Sequence, residues 1–374
     1  VPAFDVAVVG LGALGSAALQ ALARREVRAV GFDRLHPPHT FGSTHGRSRV
    51  IREAYYESPA YVPLVQRAYR EWHRIARDSR RILFRQTGGI MIGRLDGELV
   101  TGTRRSAVSH RLAHEMLAAG AIRRRLPIFD VPDGVVGILE PRAGFLDPEG
   151  CVTSCLELAA QAGATLQFDT EVERWEPLGD GIRLATSAGS FDCGHVILAA
   201  GPWLPGLLQG LRLPLTVERQ VMYWFTPRAG AERFQSDHCP VFIWEFEPGR
   251  FFYGIPDDGD GFKVARHHEG TAVTPETVDR TVAAAELGEM RALLARCIPD
   301  ADGELRETAV CLYTNTPDHH FVLGPHPAEP RVFLASPCSG HGFKFASALG
   351  EAVAELIVVG KTDVDLGLFA PGRF

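Results

Sequence analysis

An apolar run that ends in Gly-x-Gly-x-x-Gly leaves a chain few ways to fold. Here Val6-Ala7-Val8-Val9 leads into Gly10-Leu11-Gly12-Ala13-Leu14-Gly15 and then into an alanine-rich stretch. That is the strand, tight turn and helix of a Rossmann unit. Gly10 permits the turn, Gly12 lets the backbone approach a pyrophosphate, and Gly15 lets the helix pack on the strand. Unpaired N–H groups and the helix dipole favour phosphate at the helix N-terminus. A second apolar strand, Arg28-Ala29-Val30-Gly31-Phe32-Asp33, ends in an acid placed to accept a hydrogen bond from a ribose 2′-OH. The motif implies a dinucleotide without separating FAD from NAD.

Two further features narrow the choice. Ser339-Gly340-His341-Gly342-Phe343-Lys344 is a second glycine-rich turn that opens a helix, and Cys311 sits in the β-prone segment Thr308-Ala309-Val310-Cys311-Leu312-Tyr313 with no obvious structural task. Together with the first turn they point to a flavoenzyme. Seven scattered cysteines, an odd number, fit a reducing compartment. The net charge of −6 gives no footprint for nucleic acid or an anionic membrane. No apolar run approaches the ~20 residues of a membrane span, and no basic-then-apolar leader opens the sequence. A cytoplasmic enzyme is expected.

At 374 residues two domains are expected. Ser58 as N-cap and Pro59 at the first helical position predict a helix to about Asp78, and Asp147-Pro148 starts another that runs to Ala162. Val196 to Trp203 reads as a buried apolar strand ending at a glycine, and strand-like alternation dominates from Pro214 to Ala265. A long helix is expected over Pro275–Arg296. Val332-Phe333-Leu334-Ala335 then leads into the second glycine turn and a helix to Val359. The expected fold is α/β: a Rossmann-like domain, discontinuous in sequence (residues 1–85, 145–213 and 314–374), with an inserted strand-rich α+β substrate domain (86–144 and 214–313).

Several motifs recur in one order: Pro37-Pro38-His39, His45-Gly46-x-x-Arg49-x-x-Arg52, Lys263-x-x-x-His267, Cys311-x-Tyr313, the second glycine turn, and Leu366-x-x-Phe369-x-x-x-Arg373-Phe374. With these the chain resembles the monomeric sarcosine oxidase and N-methyltryptophan oxidase family of covalent flavoproteins, within the D-amino-acid-oxidase-like fold group. The resemblance covers essentially the whole chain. It implies FAD joined to Cys311 by a thioether, a bond that needs a thiolate and cationic neighbours. His45 and Arg49 match residues that place positive charge beside the flavin ring. Arg52 and Lys344 match the pair that holds a substrate carboxylate, a planar fork and a point charge. Lys263 matches the lysine that activates oxygen by stabilising nascent superoxide.

Tyr253 and His267 match orienting groups near the substrate amine, and Ile243, Trp244 and Tyr313 fall where the substrate is lined. Arg34, Val172, Gly201, Trp203, Gly340, Gly342 and Phe343 join Gly10, Gly12, Gly15 and Asp33 around the cofactor. Trp72 and Trp175, like Trp203, also read as core or interface packing. His267-His268, His319-His320 and Cys151-x-x-x-Cys155 lack a second matching pair at a metal-site spacing, so no metal is expected. Arg123-Arg124-Arg125 reads as a solvated face.

The sequence departs from the family pattern where substrate is chosen. Phe242-Ile243-Trp244-Glu245-Phe246 carries an extra residue before Pro248, Arg47 and Glu53 replace an acid and a histidine, and Pro337-Cys338 precedes the second glycine turn. The expected partners are a small amino-acid substrate and oxygen, and the expected state is a monomer. The leading activity is oxidative N-demethylation of an N-methyl amino acid. Oxidation of a cyclic imino acid, a non-catalytic flavin-binding module and an NAD-dependent dehydrogenase are the alternatives.

Overall fold

The computed structural model describes residues 3–374. Strand Phe4–Val9 runs parallel between Ala29–Phe32 on one side and Gly189–Leu198 on the other. Thr165–Gln167 extends the sheet beyond Ala29–Phe32, and Glu329–Ser336 pairs in parallel with Gly189–Leu198. The first sheet therefore draws on the beginning, middle and end of the chain. Its strands are apolar on both faces because α-helices cover one and the Trp175 hairpin with the segment from Leu204 covers the other. Helices Ala13–Ala23, Pro148–Gln161 and Ala346–Val359 pack together with Tyr61–Ser79 over one apolar core. A separate core, with Trp175 and Leu204, lies on the other face.

The second sheet is mostly antiparallel. Thr216–Thr226 lies between Glu304–Asn315 and Phe262–His267, followed in order by Arg250–Ile255, Val241–Glu247 and Gly89–Arg94. This sheet buries one face against helix Ala284–Cys297 in an aromatic core that includes Phe225, Phe242 and Phe252. Its other face looks towards the glycine turns. Among the described residues no helix is long and apolar enough to cross a membrane.

Local chemistry accounts for the main boundaries. Asp147 caps its helix by accepting from the Gly150 N–H at 2.9 Å, with Pro148 at the first position. The expected start lies two residues early: the helix begins at Tyr61 rather than Pro59, and Ser58 instead accepts from the Ala60 and Tyr61 N–H groups in the preceding turn. The strand through Val196 ends at Leu198, and a 3₁₀ turn, Gly201–Leu207, carries the rest.

The expected helix over Pro275–Arg296 is shorter, spanning Ala284–Cys297. Between Pro275 and Ala283 the side chains of Thr274 and Asp279 bond locally, Asp279 accepting from the Thr281 N–H at 2.8 Å. Such bonds compete with helix, and β-branched Thr277, Val278, Thr281 and Val282 add no helical preference. Glu286 then reaches back to the Ala283 N–H at 2.8 Å and starts the helix.

Candidate functional site

The first glycine turn has the geometry its sequence requires. Gly10 has φ +89°, and a Cβ on Gly15 would stand 1.8 Å from the Gly10 carbonyl oxygen, so the helix can sit this close only without a side chain there. Asp33, at the end of its strand, accepts from the Leu11 N–H at 2.8 Å and the Leu35 N–H at 2.9 Å. Its carboxylate thus fixes the turn while still lining the cavity that begins there.

That cavity, of about 620 Å³, runs between the two sheets. One end is lined by Gly10, Gly12, Asp33, Arg34, Val172, Gly201 and Trp203, with the Arg34 guanidinium 5.1 Å from the Trp203 ring. Arg49, Cys311, Gly340, Gly342 and Phe343 line its middle. Arg52, Lys344, Ile243, Tyr253, His267 and Tyr313 lie at the far end. The volume falls within the range of small-molecule and cofactor sites. Ser43 Oγ and His45 Nε2 are buried without hydrogen-bond partners beside it. Unpaired buried polar atoms are costly, so a bound group that supplied partners would be favoured. The residues present therefore fit a flavin dinucleotide.

Cys311 is buried on strand Glu304–Asn315. The Arg49 Nη2 lies 3.6 Å from its sulfur and donates to the Ser43 carbonyl at 3.0 Å, while Nη1 donates to the Ser48 carbonyl at 2.9 Å. A fixed guanidinium beside a thiol is the setting a nucleophilic sulfur needs. Burial opposes the charge of Arg49, but the neighbouring Cys311 and Tyr253 raise its pKa overall.

His45 corrects an expectation. It is not a cation here: burial, then Arg49, Lys263 and Arg280, lower its pKa to about 3. The positive charge in this region belongs to the arginines and to Lys263. The loop carrying His45 is held from both sides. Glu149 accepts from the Gly46 N–H at 2.7 Å and from the Arg47 N–H, and the Lys263 Nζ donates to the Gly46 and Ser48 carbonyls at 2.7 and 2.8 Å.

Lys263 is 1% exposed, with its Nζ 5.2 Å from the Trp224 ring and a third contact to Ser48 Oγ at 3.5 Å. It stands behind the loop rather than in the cavity wall. Burial, then Arg49, pushes its pKa well down. Three acceptors nevertheless match the three N–H groups of an ammonium, a stronger argument for the charged form than burial is against it.

At the far end Arg52 is buried and already engaged. Its Nη2 donates to the Glu57 carboxylate at 2.9 and 3.2 Å, its Nη1 donates to the Ala54 carbonyl at 2.8 Å, and its plane lies 4.2 Å from the Tyr55 ring centre. A substrate carboxylate reaching Arg52 meets Glu57 there. Lys344 donates to the His341 carbonyl at 2.8 Å and to Tyr55 Oη at 3.1 Å. Burial, then the charge of Arg52, lowers its pKa to about 7.

This gives a pH signature. Below pH 7 Lys344 is an ammonium that attracts a carboxylate, and above it the charge is lost. For a carboxylate substrate, kcat/KM is expected to fall by about tenfold or more as pH rises through about 7, the strength of one charge-assisted hydrogen bond. Lys344→Met should lower kcat/KM at pH 6 and remove that falling limb. The measurement is a pH profile of both chains with one substrate, so that the ionisation of the substrate amine is common to both.

Strand alternation separates Ile243 from Trp244. Ile243 faces the cavity opposite Tyr253, whereas Trp244 turns into the aromatic core, 5.8 Å from Phe252 and 6.2 Å from Phe129. Trp244 is therefore not a substrate contact. The extra residue before Pro248 is absorbed by a register shift between Glu245 and Glu247. His267 approaches Tyr313 Oη at 3.3 Å through Nδ1, and burial, then His268, lowers its pKa. Tyr56, Glu57 and Met222 also line the cavity without having been marked in the sequence, and so does His341, which was marked only as part of the second glycine turn. The available signal was Tyr55-Tyr56-Glu57, two aromatics and an acid just after Arg52.

Comparison with known proteins adds three findings. Residues 5–356 match the family described as FAD dependent oxidoreductase. The chain is 44% identical to a monomeric sarcosine oxidase of Streptomyces avermitilis over 100% of this chain and 98% of that one. It is 33% identical to an N-methyl-L-tryptophan oxidase of Yersinia pestis over 99% of each. A solved structure of NikD, an unusual amino acid oxidase essential for nikkomycin biosynthesis, superposes with a TM-score of 0.86. That match has 25% identity and covers 98% of this chain and 97% of the other.

Proposed function

The chain belongs to the FAD-dependent oxidoreductase family, and from that premise we propose that it oxidises an N-methyl amino acid to formaldehyde and the free amino acid, releasing hydrogen peroxide. The observation that carries the reading is the continuity of one cavity from the first glycine turn, past Cys311, to Arg52 and Lys344. FAD, when bound, accepts two electrons from the substrate C–N unit and passes them to oxygen. The protein supplies everything else. Gly10 and Gly12 leave room for the pyrophosphate, Asp33 receives the ribose, and Cys311 anchors the ring as a thioether.

Arg52 and Lys344 fix the substrate carboxylate, and that orients the amine between Tyr253 and His267. The N-methyl carbon gives up a hydride equivalent, and the resulting imine takes up water to release formaldehyde. Burial keeps His267 neutral, so it can accept a hydrogen bond from the amine. Lys263, behind the Gly46–Ser48 loop, holds a positive charge whose field reaches the cavity where oxygen is reduced. The protein acts as a monomer in the cytoplasm.

With Trp244 turned away, only Ile243 stands at that point of the wall, which leaves space for a side chain on the substrate. A peroxide-release screen over N-methyl and cyclic amino acids is expected to give the highest kcat/KM for an N-methyl amino acid larger than sarcosine. A preference for proline or pipecolate would establish the cyclic reading, and sarcosine ahead of every larger substrate would refute the size argument. Absence of peroxide with all of them would overturn the function.

A further inference from the structure

The segment from Val273 to Ala283 is not helical and lies across the cavity as a strap. Val273, Thr274, Pro275 and Glu276 form part of the cavity wall. The strap is tied at its start by the Val273 N–H, which donates to the Val217 carbonyl at 2.8 Å. Arg219 ties its far end, donating to the Asp279 and Thr281 carbonyls at 2.7 Å each. Between these ties stands Arg280, whose guanidinium donates in the other direction, out of the strap and towards Cys311.

Its Nη1 bonds the Val310 and Thr40 carbonyls at 3.2 Å each, and its Nη2 bonds the Phe41 carbonyl at 2.7 Å. Val310 is the residue before Cys311. Thr40 and Phe41 belong to the loop whose Ser43 carbonyl oxygen lies 3.5 Å from the Cys311 sulfur. One guanidinium therefore joins both walls of the thiol's niche. Its donors go to backbone carbonyls rather than to a carboxylate, so its charge remains directed at the niche. Arg49 reaches the sulfur itself at 3.6 Å, while Arg280 holds the backbone beside it.

We propose that Arg280 is a positioning residue for attachment of the cofactor: it clamps the strap over the niche, fixes the two walls around Cys311, and adds a second cation beside the sulfur. The inference rests on the reading of Cys311 as the attachment point. Attachment forms a bond from Sγ to the methyl carbon on the flavin benzenoid ring. The thiol proton and one methyl hydrogen leave, and the two electrons released pass to oxygen. One oxygen is consumed and one hydrogen peroxide formed for each thioether.

The test uses full-length protein from a riboflavin-starved host, mixed with FAD in air. Total binding is followed by quenching of flavin fluorescence, attachment by flavin retained in the acid precipitate, and stoichiometry by oxygen uptake. Arg280→Met is expected to bind FAD within a few-fold of wild type but to attach it at least about tenfold more slowly at pH 7. Its rate profile should move to higher pH, because a cation that favours the thiolate is gone. Arg280→Lys keeps the charge without reaching three carbonyls. It should attach slowly with a wild-type pH profile, and it carries the test alone if the methionine variant does not fold.

Wild-type rates in either variant would overturn the proposal. So would equal slowing in both variants at every pH, which would leave Arg280 only a support of the fold. Wild-type protein that retains no acid-stable flavin would overturn the reading of Cys311 itself, a separate outcome.

Discussion

Cys311→Ser is expected to leave no flavin in the acid-precipitated protein, against full retention in wild type. The loss should be complete because the bond needs a sulfur nucleophile, and a serine hydroxyl, with its much higher pKa, does not supply an equivalent anion at neutral pH. The variant should still fold. Serine is close to cysteine in size, and the niche offers the Ser43 carbonyl, 3.5 Å from the sulfur in wild type, to accept from the new hydroxyl. Yellow colour should persist before acid treatment, since in the proposed reading the turn at Gly10, the carboxylate of Asp33 and the Arg34–Trp203 pair, all on the cavity wall, hold the adenosine half without the thioether. Acid precipitation followed by absorbance of pellet and supernatant decides it. Flavin retained in the Cys311→Ser pellet would locate the attachment elsewhere.

A second large effect is expected at Lys263. Lys263→Met removes the charge while keeping a similar stem, and reoxidation of the reduced flavin by oxygen should slow by ~10²–10³, the usual cost of losing one preorganised electrostatic group. Anaerobic reduction by substrate should fall much less, because the proposed carboxylate site, Arg52 and Lys344, is untouched. Some stability is lost as well. The carbonyls of Gly46 and Ser48 lose the Lys263 donor but keep the Ser48 N–H and Arg49 Nη1 respectively, so the loss is that of charge-assisted hydrogen bonds, about 1.5–3 kcal/mol each, with no orphaned acceptor. Glu149 still holds the amides of Gly46 and Arg47, and Arg49 the carbonyls of Ser43 and Ser48, so the loop keeps its other restraints. Stopped-flow absorbance with and without oxygen separates the outcomes. Equal slowing of both half-reactions would make Lys263 a loop anchor and nothing more.

The parts of this molecule that were legible in its sequence are those where geometry admits few residue types. A turn that excludes a Cβ at Gly15 shows itself as a glycine, and an apolar strand that ends at Asp33 shows both its burial and its edge. What was not legible depends on partners distant in sequence. The alternation of Ile243 and Trp244 is plain, but which of them faces the cavity depends on the tilt of a sheet whose neighbouring strand comes from residues 89–94.

His45 reads as a basic residue in a basic loop, yet burial, and then its charged neighbours, hold its pKa down. Arg49, Lys263 and Arg280 come from three separate parts of the chain. Pro275 marks a plausible helix start, and only the side-chain bonds at Thr274 and Asp279 show that the helix waits until Ala284. The pairing of Arg52 with Glu57 was available in the sequence as proximity, but not as contact.

The discontinuous first sheet carries a consequence for biosynthesis. Strand Glu329–Ser336 and the turn at Gly340 complete the cavity that Gly10 opens, so more than three hundred residues separate its two rims. A ribosome delivers the first rim long before the last, at roughly 5–20 residues per second. During that interval the nascent chain exposes an apolar strand edge next to a turn made for phosphate, with nothing yet to close over either. The complete cavity thus forms only near the end of synthesis, after the last strand and the second glycine turn are in place. Chains truncated before the second turn lack the site and should remain colourless, so yellow colour in a cell extract would count finished molecules rather than initiated ones.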